Sequence, residues 1–106
     1  MFHAEASSTW NSHSLAYQMA NIGAEVGRAL KWKEKGKLQI SENAAYRALE
    51  LIDLTKSDPK NKRVLKEICR VREVFLDHVF GDNLYNSSPQ HWDKYFYFFT
   101  LVARGK

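Results

Sequence analysis

Proline and glycine positions divide this chain into helix-length segments. Asp58-Pro59 and Ser88-Pro89 each place a helix-capping side chain directly before a proline, the residue favoured at the first helical position. Gly36 and Gly81 follow two of the segments, and glycine commonly ends a helix. No stretch alternates apolar and polar residues with the period of a strand, so the sequence predicts helices and no sheet.

Four helices are predicted between these signals. They span, in chain order, residues 12–35, 41–57, 59–80 and 89–104. Asn11 or Ser12 is expected to cap the first helix, and Ser41 the second. Residues 1–11 are predicted to be a loose N-terminal arm, and residues 12–106 to be a single four-helix-bundle domain.

Each predicted helix carries one apolar stripe at the helical period. The stripes consist of Leu15, Met19, Ile22, Val26, Ala29 and Leu30; of Ala44, Ala45, Ala48, Leu49, Leu51 and Ile52; of Val64, Leu65, Ile68, Val71, Phe75 and Val79; and of Trp92, Phe96, Phe99 and Ala103. Because the connections are short, successive helices are expected to run in opposite directions. The predicted fold is therefore all-α, an antiparallel up-down four-helix bundle.

Two features exceed what one such core requires. Small residues form a second strip on the first helix, at Ala16, Ala20, Gly23, Ala24 and Gly27. The last helix is apolar on nearly every side, because Tyr97, Phe98 and Leu101 lie away from its stripe. We expect a homodimer or larger assembly that buries these surfaces. The alternative is that Phe2 and Trp10 of the N-terminal arm cover the last helix.

Composition restricts the compartment and the partners. The chain has 106 residues and one cysteine, Cys69, so it cannot form an internal disulfide, which suits the cytoplasm. No apolar run approaches the roughly 20 residues that span a bilayer, so no membrane association is expected. The net charge of +4 permits an acidic partner such as RNA. Cys69 lies near an apolar stripe and is interpreted as a small buried hydrophobe.

No metal or cofactor site is predicted. The four histidines do not pair with one another at helical spacing, and no glycine-rich nucleotide loop is present. Glu50 with Asp53, and Glu73 with Asp77, loosely resemble the acidic pairs of MazG-type magnesium-dependent pyrophosphatases, which remain one alternative. The competing interpretation places these four acids on a solvated face, and the first helix offers the single acid Glu25.

Arg72 and His78 are the predicted site residues. Arg72 falls within the apolar sector of the third helix, where an unpaired charge would be unfavourable. It is therefore expected to be more than half buried and bonded to a carboxylate, such as that of Glu25 or Glu50, or to a backbone carbonyl. His78 lies at the other edge of the same sector. A functional interpretation has arginine stabilising a phosphodiester and histidine acting as general acid or base, with Arg70 and Lys66 holding phosphate.

The segment 72–82, Arg-Glu-Val-Phe-Leu-Asp-His-Val-Phe-Gly-Asp, resembles the signature of HEPN domains. These are small helical bundles whose signature is an arginine and a histidine a few residues apart, followed by a loop into the last helix. Residues 46–53, Tyr-Arg-Ala-Leu-Glu-Leu-Ile-Asp, are similar to the preceding helix of that family. The resemblance implies a dimer, metal-independent endoribonuclease activity at Arg72 and His78, a role in toxin–antitoxin systems, and partners such as RNA or a nucleotidyltransferase.

The segment departs from that family at two positions. Glu73 follows the arginine where active members usually carry a small polar residue, and Val79 follows the histidine where tyrosine is common. Residues 21–28, Asn-Ile-Gly-Ala-Glu-Val-Gly-Arg, also resemble a stretch of the four-helix-bundle family encoded in bacterial ribosomal RNA intervening sequences. The leading hypothesis is a self-associating HEPN-like module that engages RNA or a partner protein. The alternative is an interaction protein with no nucleic-acid role.

Overall fold

The computed structural model describes residues 4–105, and the side chains of residues 8–105, as helices joined by short connections. Residues 4–105 contain five α-helices and one 3₁₀ helix: α1 (Ala4–Asn11), α2 (Leu15–Glu34), α3 (Leu38–Ser57), the 3₁₀ helix (Pro59–Val64), α4 (Leu65–Phe80) and α5 (Pro89–Arg104). Within residues 4–105 there is no strand. The prediction of an all-α fold is therefore confirmed.

Side-chain caps define several of the helix boundaries. As predicted, the Asp58 carboxylate accepts a hydrogen bond from the Lys60 backbone amide at 3.1 Å, and the Ser88 hydroxyl accepts one from His91 at 3.2 Å. The cap predicted at Asn11 or Ser12 is wrong, because Ser14 accepts the bond from Tyr17 that caps α2. A φ angle of +76° at Gly36 lets the chain turn between α2 and α3.

The predicted loose arm over residues 1–11 is instead helical over Ala4–Asn11. Trp10 fixes the end of this helix, because its indole N–H donates to the Thr55 hydroxyl at 2.9 Å. Trp10 therefore bonds to α3 rather than covering α5. Phe2, the other residue predicted to cover α5, lies outside the described residues.

Three further expectations are corrected by local packing. α3 begins at Leu38, and Ser41 is a buried residue whose hydroxyl donates to the Ala29 carbonyl at 2.8 Å, so it does not cap the helix. Residues 59–64 form a 3₁₀ helix before α4 instead of its first turns. Cys69 is exposed, since it lies on the outer side of α4 and not in the core.

The predicted apolar stripes supply most of the core. Fifteen residues form one buried cluster, to which α2, α3, α4 and α5 all contribute. Leu65 is an exception, with 39% of its surface exposed at the start of α4. Leu54 and Thr55 on α3 are buried although they were not assigned to a stripe.

α2 is the central helix and packs chiefly against α3 and α5. Gly23 is the point of closest approach to α5, since a Cβ atom added there would lie 2.5 Å from Cγ of Phe96. The strip of small residues predicted on this helix therefore serves, at Gly23, a contact within the chain. Gly27, one turn further along, has nothing within 4 Å of the same position.

A buried polar network joins α1, α2, α3 and the 3₁₀ helix. The Gln18 amide group donates to the Trp10 carbonyl and to Asp58, both at 2.9 Å, and its oxygen accepts from Asn61 at 3.0 Å. Burial alone would raise the pKa of Asp58, but hydrogen bonds from Lys60 and Gln18 outweigh it and hold the pKa below its ordinary value of 3.8. The carboxylate thus stabilises the fold at neutral pH, a contribution lost as the pH falls through that lowered pKa.

Candidate site on helix α4

Arg72 is tied to helix α3. Its Nε donates to Oδ1 of Asp53 at 2.8 Å, and 34% of the arginine side chain and 36% of the aspartate side chain are exposed. The prediction that Arg72 is more than half buried and bonded to a carboxylate is confirmed, although the partner is Asp53 and not Glu25 or Glu50. Glu25 is bound instead by Arg28, at 2.7 Å.

His78 is tied to helix α5. Its Nδ1 accepts a hydrogen bond at 2.9 Å from the indole N–H of Trp92, so Nδ1 carries no proton and the neutral ring is protonated on Nε2. Burial lowers the pKa of His78, the positive charge of Lys33 lowers it further, and Asp77 partly offsets both. The Lys33 ammonium also donates to the carbonyls of His78 and Val79, each at 3.0 Å, and so caps the C-terminal end of α4.

Arg72 and His78 do not converge within one chain. α4 is continuous from Leu65 to Phe80, so the helix does not unwind between them. Six residues of regular helix place the two side chains about 120° apart around the axis. One bonds to α3 and the other to α5, and a shared phosphodiester site therefore requires a second copy of the chain.

Arg70 and Lys66 lie on the outer side of α4, where both are exposed. Two residues of regular helix separate Arg70 from Arg72 by about 160° around the axis. The Arg70 guanidinium lies over the Tyr85 ring, 5.5 Å from its centroid. The predicted phosphate-binding residues therefore share a face with each other but not with Arg72.

Asp77 organises the loop that follows α4. Its carboxylate accepts backbone hydrogen bonds from Leu84 at 2.8 Å and from Tyr85 at 3.0 Å. The Tyr85 hydroxyl in turn donates to Glu73 at 2.8 Å, which holds the tyrosine ring beside Arg70. Asp77, Glu73 and Asp53 therefore each accept a specific bond, and the interpretation of these acids as a merely solvated face is too simple.

A cleft of about 220 Å³ opens between α4 and α5, next to Arg70. Its apolar lining, here called its floor, consists of the buried or half-buried residues Val71, Val74, Trp92 and Tyr95. Its polar lining, here called its edge, consists of Arg70, Ser87 and His91. This cleft could not be predicted from the sequence, because nothing in the local pattern shows that the α5 aromatics lie beside Arg70.

Metal, membrane and family comparisons add no assignment to this geometry. Among the described side chains, no group of three or more His, Cys, Asp or Glu is placed to hold a metal ion. No helix in residues 4–105 is long and apolar enough to cross a membrane. The chain matches no protein-family model, and comparison with curated proteins and with solved structures yields no match either.

We predict that the burial of His78, together with the positive charge of Lys33, makes stability depend on pH near neutrality. Because the folded state lowers the His78 pKa, stability is complete above the ordinary value of 6.5 and is lost as the pH falls through the folded-state pKa. Urea denaturation followed between about pH 7 and about pH 5 should show this loss. His78→Gln, which keeps an acceptor but does not titrate, should flatten the dependence. His91→Gln, at an exposed histidine, should leave it intact, and equal curves for all three proteins would contradict the prediction.

Proposed function

We propose that this chain is a self-associating helical module that forms a homodimer through the exposed face of α5. In this proposal α2 to α5 make an antiparallel up-down four-helix bundle, and α1 is an additional helix at one end. The short connections between the long helices and the central position of α2 support that arrangement.

The observation that carries the proposal is the apolar surface of α5. Tyr97 is 58% exposed, Phe98 61% and Leu101 47%, although all three lie on a regular helix whose other side forms the core. Such surface is costly in water and is typical of an interaction site. The open groove between α2 and α5, lined by Ala20, Gly27 and Tyr97 among others, continues the same surface.

A second copy of α5 fits this surface by charge. Asp93, Tyr97, Leu101 and Arg104 follow one another at helical spacing, with an acid at one end of the apolar stripe and a base at the other. Neither charged side chain has a bonding partner within residues 8–105. An antiparallel pair of α5 helices, with its two-fold axis between Phe98 and Phe99, would place each Asp93 beside the Arg104 of the other copy.

We predict that the chain has twice its monomer mass of 12.3 kDa in light scattering at micromolar concentration. Leu101→Glu should produce the monomer, because it places a charge in the middle of the apolar stripe. Leu84→Glu is the matched control and should remain dimeric, since Leu84 is 84% exposed in the loop before α5. Exchanging the two charges should give a dimer, whereas Asp93→Arg or Arg104→Asp alone should weaken it. A monomeric wild type would contradict the proposal.

A ribonuclease site formed by two copies is a second proposal. Arg72 uses only Nε for Asp53, so its terminal guanidinium nitrogens make no hydrogen bond among the described residues, and the neutral His78 ring carries its proton on Nε2. These groups have the chemistry to stabilise a phosphate and to transfer a proton. We expect RNA cleavage in EDTA that Arg72→Ala and His78→Ala each abolish. Cleavage that survives both substitutions would remove these residues from the mechanism.

A further inference from the structure

We infer that the cleft between α4 and α5, together with the row of cations beside it, binds single-stranded nucleic acid. The inference concerns the outer face of α4 and rests neither on self-association through α5 nor on Arg72 and His78. The cleft supplies an apolar floor that includes the Trp92 and Tyr95 rings, and Arg70 and His91 stand at its edge. An unpaired base has the planar, largely apolar faces that suit such a floor.

The cations form a continuous row that leads to the cleft. Lys62, Lys66 and Arg70 follow one another at four-residue intervals and are all exposed. Lys66 and Arg70 are about 6 Å apart along the axis of α4, and Lys62 precedes them in the 3₁₀ helix. A row of this kind can contact several phosphates of one strand while the cleft accepts a base.

Arg70 is held in the position that the row and the cleft share. Its guanidinium lies over the ring of Tyr85, whose hydroxyl is bound to Glu73 and whose amide is bound to Asp77. Stacking leaves the edge of a guanidinium available to donate hydrogen bonds to a phosphate. The side chain therefore loses less conformational freedom on binding than an unsupported arginine would.

The acids near the row restrict where the strand can lie. The Glu67 carboxylate accepts a hydrogen bond from the Tyr95 hydroxyl at 2.6 Å, and Glu73 accepts the one from Tyr85. Both acids would repel a phosphate placed over them, so the strand must follow Lys62, Lys66 and Arg70. A cleft of about 220 Å³ also suits one extruded base better than a paired duplex.

Fluorescence anisotropy with labelled strands of about 12 nucleotides tests the inference. Oligouridine RNA and oligothymidine DNA probe the shared phosphate and base chemistry, and a duplex of equal length probes strand selectivity. We expect the wild type to bind the single strands more tightly than the duplex. The double variant Lys66→Ala/Arg70→Ala should lose about ten-fold in affinity, and the slope of log affinity against log salt should fall by about 1 to 2.

Three matched variants separate this site from general charge attraction. Lys31→Ala/Lys35→Ala removes as much positive charge as Lys66→Ala/Arg70→Ala, but from exposed lysines at the end of α2. It should change the affinity by less than about two-fold, since salt screens charges that lie far from the bound strand. Val74→Phe should fill the cleft and lose at least about five-fold for single strands. His91→Glu repels phosphate at the cleft edge and should weaken binding similarly, while an acid in the first turn of α5 preserves folding.

Several results would overturn the inference. One is an absence of salt-sensitive binding by the wild type. Another is an equal loss of affinity in Lys66→Ala/Arg70→Ala and in Lys31→Ala/Lys35→Ala. A third is tighter binding of the duplex than of the single strands. If Val74→Phe and His91→Glu both fold and both bind single strands as tightly as the wild type, the inference is also overturned, because a base would then not enter the cleft. Binding of either RNA or DNA supports it, and a preference for RNA would add a contact to the 2′-hydroxyl.

Discussion

Gly23→Ala is expected to destabilise the protein by about 1–3 kcal/mol, the usual effect of forcing extra atoms into a packed contact. The added Cβ would lie 2.5 Å from Cγ and 2.6 Å from Cβ of Phe96, so α2 and α5 would have to move apart. Alanine favours a helix over glycine, but that gain of about 0.5–1 kcal/mol is smaller than the clash. Thermal or urea denaturation followed by circular dichroism measures the change.

Gly27→Ala is the matched control on the same helix. Nothing lies within 4 Å of its added Cβ, so helix propensity alone should act and stability should rise by about 0.5–1 kcal/mol. Combining Gly23→Ala with Phe96→Ala tests the cause, because removing the ring should abolish the penalty of the first substitution. Equal effects of the two glycine substitutions would show that Gly23 is not a packing contact.

Gln18→Leu is expected to destabilise the protein by about 3 kcal/mol, because it removes three buried or half-buried hydrogen bonds at once, each worth about 1 kcal/mol. Leucine has a similar size, so the loss would come from hydrogen bonding rather than from a cavity. The Trp10 carbonyl and the Asp58 carboxylate would each lose a donor, and Asn61 would lose an acceptor. The midpoint of urea denaturation gives the size of the effect.

Gln39→Leu provides the comparison at an exposed glutamine. Gln39 bonds to Asn43 at 3.1 Å on the surface of α3, and surface substitutions of this kind usually change stability by less than about 0.5 kcal/mol. If Gln18→Leu had as small an effect as Gln39→Leu, the network around Gln18 would contribute little to the fold.

The helices and much of the core were predictable because their signals are local. Asp58-Pro59 and Ser88-Pro89 are capping signals that act over a few residues, and apolar periodicity directly indicates which face is buried. Ser41 shows the limit of this reasoning. Its side chain is a suitable cap, but the Ala29 carbonyl on another helix is its partner, and that partner is known only from the tertiary structure.

The candidate site was less predictable, because it depends on contacts between helices. An arginine in an apolar sector predicts a carboxylate partner, but sequence alone does not decide between Asp53 and its neighbour Glu50. The Trp92–His78 bond joins residues from different helices and leaves no short-range pattern. Cys69 was misplaced because a position at the edge of an apolar stripe can face either way.

The central position of α2 has a consequence for how this protein can evolve. Both long neighbours of α2 pack against it, so changes at its buried positions, such as Ile22 and Val26, disturb the core that holds the helices together. The outer side of α4 carries residues such as Lys66 and Arg70 that the core does not use. Substitutions can therefore accumulate on the outer side of α4 while the buried positions of α2 stay nearly fixed.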